Sequence, residues 1–172
     1  MKINKNIANQ FIAIYREFLL DLYHQFETDD ADLKLTEKLV IGRKRFLANR
    51  ALFLKFIKKN KKIEFPKEVV TAIENIEIGK WVYLKDTKRY SIILGVDGLS
   101  GYGVLGLNDE IREIVGKPPV AIEAGIMQIQ GHFVCDGLIQ YFANIGQNYK
   151  KEYNLKFKNL KEKQQFKTKS SV

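Results

Sequence analysis

One cysteine and two histidines stand among 172 residues, and no apolar run is left uninterrupted for long. The single thiol, Cys135, excludes an internal disulfide and a multi-cysteine zinc site, and it fits a reducing compartment, so a cytoplasmic protein is expected. The apolar residues that follow Lys2 and Lys5 are broken by Arg16, Glu17 and Asp21. That pattern leaves neither a signal-peptide core nor a transmembrane segment. There is no internal repeat and no Pro-rich or Gly/Ser-rich linker, and no feature calls for a cofactor or a bound metal. What is present is a 45% hydrophobic composition, enough for one globular unit with a well-packed core.

Charge is unevenly placed. The residues from Arg43 to Lys62 contain nine Lys or Arg and no acid, and those from Gln147 to Val172 contain eight Lys against Glu152 and Glu162. These two blocks exceed the formal net charge of +9, so the rest of the chain is net acidic. Such asymmetry concerns partners rather than fold.

The hydrophobic period predicts an α+β protein. Phe11, Ile14, Tyr15, Phe18, Leu19, Leu22, Tyr23 and Phe26 alternate at steps of three and four, which predicts an amphipathic helix over residues 4–27, ended by Thr28, Asp29 and Asp30. A second helix, capped by Thr36 and running to Lys59, carries Leu39, Val40, Phe46, Leu47, Phe53, Leu54 and Ile57 on one wide face and suits antiparallel packing on the first as a hairpin. A short helix follows over residues 66–75, with Pro66 in its first turn. After Gly79 the aromatic and β-branched runs 81–84 and 90–96 predict a hairpin around Asp86-Thr87-Lys88. A helix over 109–115, capped by Asn108, stops at Gly116 ahead of Pro118-Pro119. Strands 120–129 and 132–136 then turn at Gln130-Gly131. The expected organisation is a helical segment (1–76), a small antiparallel β-rich module with glycine turns (77–146), and a basic helix with a disordered tail (147–172).

Three constellations invite a catalytic reading. Gly101-Tyr-Gly103-Val-Leu-Gly106 has the letters of a dinucleotide fingerprint, with Glu123 further on, and supports a small nucleotide-binding protein or enzyme as a third reading. Its context argues for turn glycines instead, because Tyr102, Val104 and Leu105 read as a strand and no crossover helix follows. His132, Cys135 and Asp136 suggest a nucleophilic site, but alternation puts 132, 134 and 136 on one face and 133 and 135 on the other, which makes Cys135 an apolar filler beside Phe133. A two- or four-residue turn sets Gly125 opposite Asp136, with Glu123 diagonal to it. The pair could share a metal or act as acid and base, yet Asp136-Gly137 is a turn signal in its own right and no third ligand accompanies it.

YGVLGL at Tyr102 to Leu107, Pro119-Val120, Ile122-Glu123, DGLI at Asp136 to Ile139 and IG...YKKEY at Ile145 to Tyr153 together resemble an uncharacterised family of small bacterial proteins. The resemblance implies an N-terminal helical segment joined to a β-rich module that ends in a glycine turn and a basic helix. It carries no activity. It is close over the C-terminal part and loose over the helices, and where the family tends to read PFKGKI this chain reads QIQGHFVC.

The basic blocks supply the functional expectation. Projected at about 100° per residue, Lys44, Lys55 and Lys59 fall on the polar strip of the second helix, whereas Arg43 and Arg50 fall inside the apolar arc. Those two arginines need carboxylates such as Asp21 or Glu17, or must reach an external anion. Lys58 and Lys59 also suit the negative pole of the helix. In the last helix Tyr149, Tyr153, Phe157 and Leu160 form a docking stripe, and lysines face solvent. The leading expectation is a non-enzymatic protein that contacts nucleic acid or a nucleoprotein complex through Arg43, Lys44, Arg45, Arg50, Lys55, Lys58, Lys59, Lys150, Lys151 and Lys156. An acidic protein partner is the alternative.

Overall fold

The computed structural model describes residues 3–26 and 33–169. Contacts divide the chain into two compact units: Asn6–Asn75, which is helical, and Ile76 onward together with the N-terminal residues through Lys5, which carries every strand assigned among the described residues.

In the helical unit, α1 (Lys5–Phe26) buries Phe11, Tyr15, Phe18, Leu19, Leu22 and Tyr23, the face its spacing predicts. The expected polar break at Thr28, Asp29 and Asp30 lies outside the described residues. The single long second helix is corrected to two, α2 (Leu35–Ala48) and α3 (Ala51–Lys59). Asn49 makes the break: its backbone is extended (φ −146°, ψ 95°) and its Oδ1 accepts the Ala51 amide at 3.1 Å, so it satisfies a free donor of the new helix. The break lets Phe46, Phe53 and Phe56 all close on Phe18, with ring centroids 5.0, 4.9 and 5.4 Å away. Closest approach of α2 to α1 is at Gly42, where any Cβ would overlap the Leu19 carbonyl. Glu37, not Thr36, caps α2 by accepting the Lys34 amide at 2.7 Å. The short α4 (Lys67–Glu74) forms as expected, with Pro66 as its N-cap rather than in its first turn.

The second unit is a closed barrel. β1 (Glu77–Asp86) pairs antiparallel with β2 (Ser91–Gly95), and β2 with β3 (Gly101–Leu105). β3 then pairs with β5 (His132–Cys135) in parallel, β5 pairs antiparallel with β4 (Val120–Ile129), and β4 returns antiparallel to β1. The ring order β1-β2-β3-β5-β4-β1 places β4 beside β1 after a three-strand meander, which is a five-stranded Greek-key barrel. β1 serves two neighbours because a register shift between Tyr83 and Lys85 bends it. The sheet is therefore mixed rather than purely antiparallel.

Alternation fills the interior: Trp81 and Tyr83 from β1, Ile93 from β2, Val104 from β3, Ile122 from β4 and Cys135 from β5. Ile111 of the short helix α5 (Ile111–Val115), between β3 and β4, joins them. The Trp81 indole donates to the Ala124 carbonyl at 3.0 Å, so its N–H stays satisfied. Glu110, not Asn108, is the N-cap of α5, and its amide donates to the Glu113 carboxylate at 2.6 Å. Cys135 is 1% exposed beside Phe133, the buried thiol expected, although its Sγ also lies 4.0 Å from Oδ1 of Asp136, which alternation had put on the other face.

Every residue of β2 is buried because its other face is covered too. There α6 (Gln147–Glu162) lays Tyr153, Phe157 and Leu160 over Val82, Leu84, Ile92 and Leu94. Tyr149, expected in that stripe, is 62% exposed, since the docking face starts one turn later. Two strands were not foreseen. β6 (Gln140–Asn144) continues beyond β5 along the same edge of β4, and β7 (Phe166–Lys167) adds in parallel to β3 at Gly101 and Tyr102. The expected disordered tail is thus ordered through Lys169, and residues 170–172 lie outside the described ones.

Candidate functional site

The hairpin between β1 and β2 is built by one threonine. Thr87 Oγ1 donates to the Tyr90 carbonyl at 2.8 Å and accepts the Arg89 and Tyr90 amides at 3.2 and 3.1 Å, while the Thr87 amide donates to the Tyr90 carbonyl at 2.9 Å. This local turn chemistry leaves Lys88 and Arg89 exposed at the tip. On the far side of β3, Gln130 (φ 52°) and Gly131 (φ 72°) close the β4–β5 hairpin as a two-residue turn with both φ positive, which sets His132 at the start of β5.

Between these two turns lies a cleft of about 370 Å³, lined by Lys88, Arg89 and Tyr90, by Gly103 and Leu105 of β3, by His132, and by Thr168 and Lys169 beyond β7. Gly103 is required at its floor, because a Cβ there would stand 2.8 Å from the Tyr90 ring. At Gly101 a Cβ would first meet Leu94 at 2.7 Å, then Leu160 at 3.0 Å and the Phe166 ring at 3.1 Å. Tyr90 and Phe166 rest on each other with centroids 6.0 Å apart. The glycines of the Gly101–Gly106 run therefore admit close neighbours, Leu94 at Gly101, the Tyr90 ring at Gly103 and the Asp109 carbonyl at Gly106, and no helix begins inside the run to offer amides to a pyrophosphate.

The cleft has cationic walls: Lys88 and Arg89 on one side and Lys169 with the polar Thr168 on the other. No carboxylate lines it among the described residues. The nearest acid along the chain, Asp86, is engaged elsewhere. Its oxygens receive the Tyr83 hydroxyl at 2.7 Å, the Ser91 hydroxyl at 2.7 Å and the Arg112 guanidinium at 2.7 Å. Burial first, and then Asp86, raise the Tyr83 phenol above its ordinary range, so it remains a hydrogen-bond donor.

Of the ten cations singled out in sequence, none lines this cleft. Arg43 is 1% exposed within α2, so its guanidinium is not presented to a ligand in solution; an arginine in the apolar arc is drawn into the helical unit. Arg50, at the start of α3, lies over the Phe46 ring at 4.5 Å, and burial lowers its pKa. Arg45 lies over Phe26 at 5.2 Å. Asp21 pairs with Lys59 at 2.9 Å, and Glu152 with Lys156 at 2.7 Å. Lys44, Lys55, Lys58, Lys150 and Lys151 are exposed on their helices. Lys150 and Lys151 sit near the positive end of α6, where a cation gains nothing from the helix dipole.

The acidic pair is also resolved. Asp136 does face Gly125, whose carbonyl accepts its amide at 2.9 Å, but its Oδ1 accepts the Leu138 amide at 3.1 Å around Gly137 (φ 76°). Glu123 is instead level with Lys80 and Gln140 on the neighbouring strands, so the carboxylate at 136 shapes a turn. No cluster of three or more His, Cys, Asp or Glu suited to a metal occurs among the described residues, and no helix among them is long and apolar enough to cross a membrane.

Lys88, Arg89 and Lys169 had no place among the sequence candidates, and His132 stood there only beside Cys135 and Asp136, not with a basic cleft. Lys88 was legible only as a turn residue, and no spacing rule links a hairpin tip to residues some eighty positions later. Comparison with protein-family models, curated proteins and solved structures gives no match.

Proposed function

We propose that this protein binds single-stranded nucleic acid, alone or within a nucleoprotein complex, with phosphates held between Lys88 and Arg89 on one side of the barrel cleft and Lys169 on the other. One observation carries the reading: an acid-free basic cleft lies at the β1–β2 loop, β3 and the β4–β5 turn of a five-stranded Greek-key barrel. Barrels of the oligonucleotide/oligosaccharide-binding type present their ligands on the same parts. Fold alone does not assign function, so the weight rests on the chemistry of the walls. Three cations with no carboxylate among the described lining residues suit a polyanion, and a cationic groove beside aromatic rings is how single strands are tracked. Exposed Lys150 and Lys151 on α6 add further positive charge to the same unit.

Fluorescence anisotropy with labelled oligothymidylate and oligouridylate over a salt series tests the reading. Wild-type affinity falls steeply with salt, and the variant Lys88→Ser/Arg89→Ser/Lys169→Ser binds more weakly with a slope reduced by up to about 2, at ~0.7 per lost phosphate contact. Absence of binding at low salt overturns the proposal. Equal binding by the variant moves the ligand off the cleft, and a stoichiometric complex with an acidic protein without any oligonucleotide shift favours the protein-partner alternative.

A further inference from the structure

We propose that Asp86 is a positioning residue for the cleft: its carboxylate ties the base of the β1–β2 loop to the barrel, so that Lys88 and Arg89 are held over the bound phosphates. The inference rests on the nucleic-acid reading of that cleft. Asp86 is the last residue of β1 and the register partner of Ser91, the first of β2, so its side chain stands where the hairpin opens. Three donors reach it from three elements. The Tyr83 hydroxyl lies 2.7 Å from both oxygens, Ser91 Oγ donates to Oδ1 at 2.7 Å, and Arg112 Nη2 lies 2.7 Å from Oδ2. Tyr83 is rooted in the barrel interior, and Arg112 belongs to α5, so the loop base is tied both to the core and to the helix between β3 and β4. Charge-assisted bonds of this kind are short and directional. Above them the tip is ordered by Thr87, and the two cations therefore have a preset place from which to meet a ligand.

A carboxylate at this position works against polyanion binding by charge alone. Two residues of chain reach at most about 7 Å, within a Debye length of about 8 Å, so Asp86 lies inside the field that bound phosphates sense. Positioning and direct electrostatics thus have opposite signs, and one substitution separates them. Asp86→Asn removes a negative charge while keeping the side-chain shape. Electrostatics alone makes the variant bind oligothymidylate more tightly. Loss of the tie makes it bind more weakly, by between about twofold and tenfold, the cost of re-ordering one or two side chains on binding.

The experiment compares wild type, Asp86→Asn, Tyr83→Phe and Lys88→Ser/Arg89→Ser by anisotropy at one low salt concentration, with amide hydrogen exchange at Lys88 and Arg89 in the free proteins. Weaker binding and faster exchange in Asp86→Asn, with the same direction in Tyr83→Phe at unchanged net charge, supports the assignment. Equal or tighter binding by Asp86→Asn, with Lys88→Ser/Arg89→Ser weakened, overturns the positioning role and leaves the cleft standing. Wild-type binding by Lys88→Ser/Arg89→Ser overturns the cleft and the positioning role with it. If Asp86→Asn does not fold, Tyr83→Phe decides, and unchanged affinity with unchanged exchange rejects the proposal.

Discussion

Tyr102 shows how much one side chain on β3 contributes on its two ends. Its ring packs in the barrel against Trp81 and Phe133, at 5.8 and 4.7 Å between centroids, while its hydroxyl donates to Glu77 at 3.1 Å. Burial first, and then the Glu77 carboxylate, push the phenol up to about 12 from its ordinary value near 10. The folded protein thus holds this proton more tightly than the unfolded chain. Its contribution to stability is fully present below about pH 10 and is lost as pH rises to about 12. Between pH 9 and pH 11, about one unit either side of that onset, urea unfolding is expected to show a loss of stability that Tyr102→Phe makes smaller. An equal loss in the variant refutes the assignment. The glycines of the dinucleotide-like run likewise serve packing: Gly101 leaves room for Leu94 and Gly103 for the Tyr90 ring.

Among the elements, the break between α2 and α3 is the clearest case in which hydrophobic period misleads. The apolar positions from Leu39 to Ile57 keep one face over the whole stretch, so periodicity alone continues the helix. Asn49 supplies a cap that periodicity does not register, and Phe18 supplies the centre on which both shorter helices converge. Asn49→Ala is expected to lower stability by about 1 kcal/mol, as cap removal does, measured by urea unfolding followed in the far ultraviolet. No change would mean that packing on Phe18 alone sets the break. Strands rich in aromatic and β-branched residues, β1, β2 and β4, were legible in sequence. β6 and β7 were not, because Gln140–Asn144 is largely exposed and Phe166–Lys167 is two residues long, so neither carries a period.

At the scale of the whole molecule, the short strand beyond α6 is tied to the barrel through β3. Phe166 packs on Phe157 at 4.9 Å and on Tyr90 at 6.0 Å, and it leads the chain to Thr168 and Lys169 on the cleft wall. Phe166→Ala is expected to destabilise the protein by up to about 3 kcal/mol, less than a fully buried phenylalanine costs, and to weaken oligonucleotide binding without altering any charge. A loss of stability with unchanged affinity would remove the C-terminal wall from the site.

The α+β class, the helical start, the β-rich module, the hairpin turns and the packing role of Cys135 follow from composition and local period, because each is set by residues within a few positions of one another. Sequence also placed the excess charge in two blocks, a property of composition that folding cannot change. Tertiary structure decided which charges share a cleft. Closure of the ring through β1–β4 and the parallel β3–β5 pair brings Lys88, Arg89 and His132 round one strand, and β7 adds Lys169. The same packing drew Arg43 into the helical unit and set Lys59 on Asp21. Contacts between distant positions are fixed by burial and strand pairing over the whole chain, and no local pattern of residues encodes them.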